Sequence, residues 1–397
     1  MRVLQINSVC GYGSTGRIAT DLYDTLKQEG HNCLIAYGRG TAPKGYQTIK
    51  IDSEWEVRLH GLKTRLTDRE GFGSRKATER FIEKVKAYDP DVIHLHNLHG
   101  YFINIEVLFN YLKTVDKKVI WTLHDCWAFT GHCTYFDYVG CEKWKIGCEK
   151  CPQKSEYPKS ILQDQSRSNY QDKRNAFTSL NENQMTIVTP SHWLAGLVKE
   201  SYLSKYAVEV IHNGIDLEVF KPTPNNFREK YQCEDKTLVL GVANVWNRRK
   251  GLDTFMQLSK ELPDKFQIIL VGLNSKQKKA LPDNIIKIER TNSTKELAEI
   301  YTAADVFVNP TLEDNFPTTN LESLACGTPV ITYDTGGSPE SLNGKNGRII
   351  KKNNIKEVYK VIQKKTLTFS VNRSIEFNRE KVFKKYIQQY KKSLAKK

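Results

Sequence analysis

The sequence lacks any long hydrophobic segment. Nowhere in its 397 residues do about 18 apolar residues follow one another, the minimum for a helix that crosses a bilayer. The N-terminus has no basic and apolar leader and starts at once with the strand-like run Val3-Leu4-Gln5-Ile6. We therefore expect a cytoplasmic protein, and leave open a peripheral contact at the inner face of the cell membrane.

Acidic residues are in the minority. Lys and Arg total 60 against 45 for Asp and Glu, which gives a formal net charge of +15. Such an excess favours anionic partners, namely nucleic acid, anionic lipid or phosphorylated ligands. Zinc-finger spacings and aromatic ribonucleoprotein boxes are both missing, so we expect no nucleic-acid partner.

The chain is too long for one ordinary hydrophobic core, and its size predicts two or three domains. We place a first domain at residues 1–214, with a cysteine-rich insert at 126–151, and a second at residues 215–376. Residues 377–397 form an amphipathic pattern that predicts a helix, either crossing back to the first domain or lying on lipid.

The stretch from Asn309 to Ile331 predicts a strand, a loop and a helix. The loop and helix carry two acids, Asp314 and Glu322, eight positions apart, and we expect Thr318 or Thr319 to cap the helix. Free N–H groups and the positive end of the helix dipole would then meet at the carboxyl edge of a sheet. An anion fits such a place.

Three consecutive cations, Arg248-Arg249-Lys250, precede a second predicted helix at Leu252–Leu262. Point charge, guanidinium fork and helix dipole together predict a pyrophosphate site, with a solvent-exposed basic turn as the alternative.

A glycine-rich turn, Gly11 to Arg17, follows the first strand and includes Gly13 and Gly16. Its spacing does not match the dinucleotide fingerprint, so a ligand loop and a simple tight turn remain equally open.

Two further buried strands end in histidine, at His96 and at His124. Side chains at strand carboxyl ends line the ligand crevice of such sheets. We expect Asp125 to orient the His124 imidazole, and the neutral ring to donate a hydrogen bond to a ligand hydroxyl or a developing charge.

Four of the nine cysteines follow the spacing Cys133-x7-Cys141-x6-Cys148-x2-Cys151 on a glycine-rich loop. Thiolates so placed suit a tetrahedral structural zinc ion that would staple the loop. Unligated thiols and disulfides are the alternatives, although an odd cysteine count without a leader argues for a reducing compartment.

The segment from Trp55 to Phe81 interleaves cations with large apolar residues. This pattern is typical of a solvated helical hairpin packed on the domain, or of a helix on an anionic membrane face.

Taken together and in order, these motifs resemble the retaining GT-B glycosyltransferases of glycosyltransferase family 4. The resemblance rests on the glycine loop, Thr122-x-His124, Asn213-Gly214-Ile215-Asp216, Lys250-Gly251, Asp314-x7-Glu322-x3-Cys-Gly-Thr-Pro-Val and Gly336-Gly337-x-Pro-Glu. It covers nearly the whole chain.

The resemblance implies a fold and an activity. The fold is α/β, with two Rossmann-like domains whose parallel sheets face across a cleft, residues 1–214 on the acceptor side and 215–376 binding the nucleotide sugar. The activity is metal-independent, retaining transfer of a hexose from a nucleotide-diphosphate sugar to a saccharide or lipid-linked saccharide. Capsule or exopolysaccharide assembly is the implied setting.

The resemblance also implies roles for residues. His124, Asp314 and Glu322 occupy catalytic positions, with His124 and Asp314 at the donor sugar and Glu322 at the ribose hydroxyls. The positions implied to bind the nucleotide sugar are Gly13, Gly16, Asn244, Arg249, Lys250, Phe316, Pro317, Thr318, Thr319 and Glu322. Two residues depart from the family pattern, Asn244 in place of an Arg and Asp314 in place of a Glu.

Two rival functions fit parts of the same sequence. A nucleotide-sugar epimerase uses the same two-domain scaffold with a different acid–base set. A non-catalytic polyanion-binding protein would explain the charge of +15 and the missing Arg.

Overall fold

The structure is a computed structural model that describes residues 1–364 and 377–395. The chain forms two compact units. The first comprises Met1–His212 and the residues from Phe383 onward, and the second comprises Asn213–Val382.

Seven parallel strands form the sheet of the first unit, in the order β3-β2-β1-β4-β5-β6-β7. The five inner strands are buried almost throughout, as expected for a parallel sheet covered on both faces, whereas the edge strands β3 and β7 have no buried residue. The strands are β1 (Arg2–Val9), β2 (Asn32–Arg39), β3 (Thr48–Lys50), β4 (Val92–Leu95), β5 (Lys118–Thr122), β6 (Met185–Thr189) and β7 (Ala207–Val210).

Helices connect these strands. They are α1 (Gly13–Gln28), α2 (Glu54–Thr67), α3 (Arg75–Tyr88), α4 (Ile105–Thr114), α5 (Ser166–Phe177) and α6 (His192–Glu200). A capping box between Ser53 and Glu56 starts α2, and Asp68 in a left-handed conformation ends it. The predicted helical hairpin at 55–81 is therefore present as α2 and α3.

Six parallel strands form the sheet of the second unit, in the order β10-β9-β8-β11-β12-β13. They are β8 (Thr237–Val242), β9 (Phe266–Val271), β10 (Ile285–Ile288), β11 (Val306–Asn309), β12 (Val330–Tyr333) and β13 (Gly347–Ile350). The helices are α7 (Phe227–Lys230), α8 (Leu252–Glu261), α9 (Ser275–Ala280), α10 (Thr294–Ala303), α11 (Thr318–Ala325) and α12 (Ile355–Gln363).

The last described helix is α13 (Arg379–Ala395). A parallel bridge between Ile215 and Asn378 fixes its start in the second unit. The predicted apolar side, including Phe383, Tyr386 and Tyr390, is buried. Among the described helices, none is both long and apolar enough to cross a membrane.

Each sheet has one pair of neighbouring strands from which the chain leaves in opposite directions. In the first sheet the pair is β1 and β4, and in the second it is β8 and β11. Ligands of such sheets bind outside the carboxyl ends of these strands, so the loops that follow them are the candidate sites.

Candidate functional site

The loops after β8 and β11 meet at the carboxyl edge of the second sheet. Lys250 Nζ lies 2.5 Å from Asp314 Oδ2, in an ion pair whose side chains are 26% and 14% exposed. Arg249 Nη1 donates to the Glu313 carbonyl at 2.7 Å, and the Arg249 carbonyl accepts from Leu312 N at 2.8 Å. The structure thus brings two predicted cations beside a predicted acid.

Two glycines allow this close approach. Gly251 has a φ of +78°, and a Cβ there would lie 2.2 Å from the Pro310 carbonyl oxygen. Gly336 has a φ of +56°, and a Cβ there would lie 1.8 Å from the Asp314 carbonyl oxygen. Any side chain at either position would displace the loop that carries Asp314.

The helix α11 starts one residue earlier than its predicted cap. Pro317 is the N-cap residue, and no side chain caps the helix, so the prediction that Thr318 or Thr319 does so is wrong. Both threonines instead lie within the first turn and are half-buried. Without a side-chain cap, the first-turn amides can bind an anionic ligand instead.

Glu322 lies in the second turn of α11 and is only 8% exposed. The Tyr301 hydroxyl donates to Glu322 Oε2 at 3.2 Å. Burial, together with the nearby Glu322 carboxylate, raises the pKa of Tyr301 well above its usual value, so the phenol keeps its proton. Tyr301 thereby fixes one carboxylate oxygen of Glu322.

The other predicted positions divide between the two units. Phe316 is buried and accepts a hydrogen bond at its carbonyl from Asn213 Nδ2 at 3.3 Å. Asn244 is exposed on the loop after β8. Gly13 and Gly16 lie in the first unit, in the first turn of α1 after the β1 strand.

His124 lies at the carboxyl end of β5 in the first unit, next to a buried histidine network. Its Nε2 lies 3.2 Å from Nδ1 of His96, whose own Nε2 lies 3.0 Å from Gln5 Oε1. His94 completes the network and contacts the Tyr390 hydroxyl of α13 at 2.6 Å.

The network determines which nitrogen of His124 carries the proton. Gln5 Nε2 donates to the Ala19 carbonyl at 2.9 Å, which turns Gln5 Oε1 toward His96. Because an amide oxygen only accepts, His96 is protonated on Nε2 and accepts at Nδ1. His124 must then donate from Nε2, so its neutral ring has an unprotonated Nδ1 that can accept a hydrogen bond.

Burial keeps these rings neutral. It lowers the pKa of His124 to about 4 and that of His94 to about 3, and the pKa of His96 lies well below its usual value. Asp125 does not have the partner we expected. Its Oδ2 pairs with His99 Nε2 at 2.7 Å, and its Oδ1 accepts from Trp127 N at 2.9 Å.

The four predicted metal ligands lie elsewhere in the first unit. Cys133, Cys141, Cys148 and Cys151 all line one small cavity in the insert between β5 and α5. None of the nine cysteines, all of which are described, forms a disulfide.

Sequence reasoning missed the residues that hold the site in place. Tyr301, Gln5 and Asn213 contact their partners across 21, 91 and 103 positions of the chain. Tyr301 and Gln5 are ordinary core residues by type, so the local sequence pattern contained no signal for them. Asn213 belongs to the Asn213-Gly214-Ile215-Asp216 motif, but its contact with Phe316 was not predicted.

Two family models match the sequence. The model described as "Glycosyltransferase Family 4" matches residues 15–219, and the model described as "Glycosyl transferases group 1" matches residues 236–365.

Curated relatives are about a quarter identical to the chain over the residues that align. The colanic acid biosynthesis glycosyl transferase WcaC of Escherichia coli (strain K12) is 27% identical over 378 residues, which are 91% of this chain and 90% of WcaC. The D-inositol 3-phosphate glycosyltransferase of Mycobacterium sp. (strain KMS) is 27% identical over 157 residues, 36% of each chain.

Solved structures match over the full length. Sucrose-phosphate synthase from Thermosynechococcus elongatus has a TM-score of 0.71 at 17% identity, with 100% of both chains covered. HepE from Anabaena, in complex with UDP, has a TM-score of 0.67 at 14% identity, with 99% of this chain and 100% of HepE covered. The predicted fold class, two Rossmann-like domains of the GT-B type, is confirmed.

The buried histidines predict that the folded protein loses stability in mild acid. Between pH 6.5 and about 4, the unfolded chain binds protons that the folded histidines do not, so the free energy of unfolding falls as the pH falls through this range. The slope should reach about 1.4 kcal/mol per pH unit for each histidine. Urea unfolding followed at several pH values would measure it.

In the variant His94→Gln, the free energy of unfolding should depend less steeply on pH over the same range. The variant has one histidine fewer that binds a proton only in the unfolded chain. His192→Gln, at an exposed histidine outside this network, is the control for replacing a histidine by glutamine. Identical slopes for parent and His94→Gln would contradict the neutral network.

Proposed function

The chain belongs to glycosyltransferase family 4, and from this we propose that it is a retaining, metal-independent hexosyltransferase acting in cell-surface polysaccharide assembly. Its donor would be a nucleotide-diphosphate sugar and its acceptor a saccharide or lipid-linked saccharide. The observation that carries the proposal is the group of Lys250, Arg249 and Asp314 beside the uncapped first turn of α11.

The diphosphate would bind at the start of α11. Its negative charges meet the first-turn amides of Thr318 and Thr319, the dipole of the helix and the cations of Arg249 and Lys250. Glu322, held by Tyr301, would accept hydrogen bonds from the ribose hydroxyls. HepE is a solved structure with UDP bound, which supports a nucleotide donor.

Transfer would break the bond between the anomeric carbon and the diphosphate oxygen. The electron pair leaves with the diphosphate, whose growing charge the same amides and cations stabilise, so a divalent ion is not required. The acceptor oxygen forms the new bond on the same face of the sugar, and its proton passes to a phosphate oxygen.

The setting is inferred from the relative that matches nearly the whole chain. WcaC is described as acting in colanic acid biosynthesis, which is the synthesis of a polysaccharide. Both rival functions, an epimerase and a non-catalytic polyanion-binding protein, lose support because the matched family models and curated relatives are glycosyltransferases.

We further propose that the first unit contacts an anionic membrane through α2. Four large apolar side chains, Trp55, Leu59, Leu62 and Leu66, are 72, 60, 52 and 42% exposed on this helix. Their spacing puts them on one face. An exposed apolar stripe on this scale is typical of an interaction surface rather than of a solvated helix.

The surroundings of the stripe favour anionic lipid. Ile161 and Leu162, 58 and 67% exposed, adjoin the end of α2, where Ile161 N donates to the Arg65 carbonyl at 2.7 Å. Exposed cations Arg58, Lys63 and Arg65 lie on the same helix. A cavity of about 350 Å³ beside it is lined by Lys63, Arg69 and Arg75, together with Glu106, and suits a phosphate head group.

Nucleotide binding should depend on the two charged residues assigned to the donor. Lys250→Ala and Glu322→Ala should each weaken binding by roughly 10- to 100-fold, because a charged hydrogen bond contributes about 1.5–3 kcal/mol. Calorimetry and thermal shifts with UDP, GDP, ADP and their sugars would measure this and identify the base. Lys260→Ala, at an exposed lysine of α8, is the control, and unchanged affinity in either site variant would contradict the assignment.

The stereochemistry can be determined from the product, and the metal requirement from the reaction rate. We expect the new linkage to keep the anomeric configuration of the donor, and the rate to be the same in buffer freed of divalent ions by a chelating resin. Proton NMR of the product decides the first point and the initial rate the second. An inverted linkage, or a rate restored only by Mg²⁺ or Mn²⁺, would refute the corresponding part of the proposal.

The membrane contact predicts selective binding to charged vesicles. The full chain should float with phosphatidylglycerol-containing vesicles and less with phosphatidylcholine alone. Leu59→Glu combined with Leu62→Glu should weaken binding by more than about tenfold, because burying each leucine contributes about 1.5–3 kcal/mol. The control is Ile349→Glu, because Ile349 is similar in size to leucine and is 42% exposed in the second unit. If the variant with both Leu59→Glu and Leu62→Glu floated as much as the Ile349→Glu control, α2 would be excluded as the membrane contact.

A further inference from the structure

The insert between β5 and α5 has little regular structure and yet folds around an ordered core. Two short 3-10 turns, Trp127–Phe129 and Lys143–Lys145, are its regular elements. Trp144 is 1% exposed and packs on Phe129 and Phe136, with ring centroids 5.4 and 4.8 Å away. A loop of this length needs further cross-links to stay in one conformation.

Four cysteine side chains surround one small cavity in this core. Cys133, Cys141, Cys148 and Cys151 line it together with Trp144, and its volume is about 10 Å³. That space is too small for an organic ligand and suits a single ion. Cys133 is 6% exposed, and the other three thiols are half-buried against the core of the first unit.

We propose that these four thiols bind one structural zinc ion. Four sulfur ligands with no further donor make a closed tetrahedral site of the structural kind. On binding, the four thiols release four protons to solvent and the ion acquires four sulfur bonds, giving a complex of net charge −2. Among the described residues, no three of these sulfurs lie within 4.8 Å of one another, so zinc binding would require side-chain rotations that bring them together.

One buried lysine, Lys173, and one exposed lysine, Lys143, lie close to the cavity. Lys173 is 1% exposed, and its Nζ donates to the carbonyls of Trp127 and Thr130 at 3.0 and 3.1 Å. Thr130 itself lines the cavity, as does Lys143. Lys143 Nζ also donates to the Glu149 carbonyl at 2.9 Å, inside the Cys148-x2-Cys151 turn.

The ion would stabilise the turn that follows His124. Cys126 N donates to the Thr134 carbonyl at 2.8 Å, so the segment between them closes into a loop that contains Cys133. The same segment contains Trp127, whose amide donates to Asp125. Zinc would therefore hold one end of a loop whose other end lies at the carboxyl edge of the first sheet.

Metal analysis of the full chain tests the proposal. Protein purified under reducing conditions without chelator should contain about one zinc per chain, and Co²⁺ exchanged into it should show the visible absorption of tetrahedral thiolate coordination. Cys148→Ser and Cys151→Ser should each reduce the zinc content by about tenfold or more, since loss of one thiolate opens the site.

The control is Cys126→Ser, because Cys126 lies in the same insert, is 1% exposed and does not line the cavity. It should retain the parent zinc content even if it lowers stability. Parent protein without zinc and without cobalt–thiolate absorption after reconstitution would overturn the proposal. So would a Cys133–Cys151 disulfide in unreduced protein, or equal zinc loss in Cys126→Ser.

Discussion

Parallel pairing of strands is the constraint on which the candidate site depends. A parallel sheet places the carboxyl ends of all its strands at one edge, and the chain must cross back over the sheet between strands. Where β8 and β11 send their crossovers in opposite directions, the two following loops meet. Lys250 and Asp314, 64 positions apart, are in contact for this reason. Local glycines then let the loops approach as closely as they do.

Electrostatics explains why a lysine and an aspartate would form an ion pair at a diphosphate site before the ligand binds. An unpaired lysine side chain is mobile, and ordering it on ligand binding costs rotamer entropy. Asp314 holds the Lys250 ammonium group in one place, and because both side chains remain partly exposed to water, the pair can rearrange when a more highly charged anion arrives.

Local patterns predicted the elements, and distant contacts decided the details. The strand, loop and helix of residues 309–331 were readable because periodicity and breakers are local. The cap was not, because threonine is a good cap by type and only the backbone shows that Pro317 holds that position. The tautomer of His124 depends on Gln5, 91 positions from His96, and on the direction of one amide group. No spacing rule encodes such a pair.

The helix α2 shows a different limit of pattern reading. Its period is helical whichever side faces the protein, so the sequence alone favoured a solvated hairpin and left a membrane helix as the alternative. The structure orients it with the weaker apolar side inward, where His60 needs both Ser74 Oγ at 2.9 Å and Gly73 N at 3.2 Å as partners.

This orientation has an energetic consequence. Trp55, Leu59, Leu62 and Leu66 are 72, 60, 52 and 42% exposed, so burying the rest of each side chain would contribute part of the roughly 1.5–3 kcal/mol that full burial contributes. A helix that buries a histidine while exposing leucines is poorly matched to water on its outer face. Such a helix suits the surface of an anionic bilayer, where apolar chains lie below charged head groups.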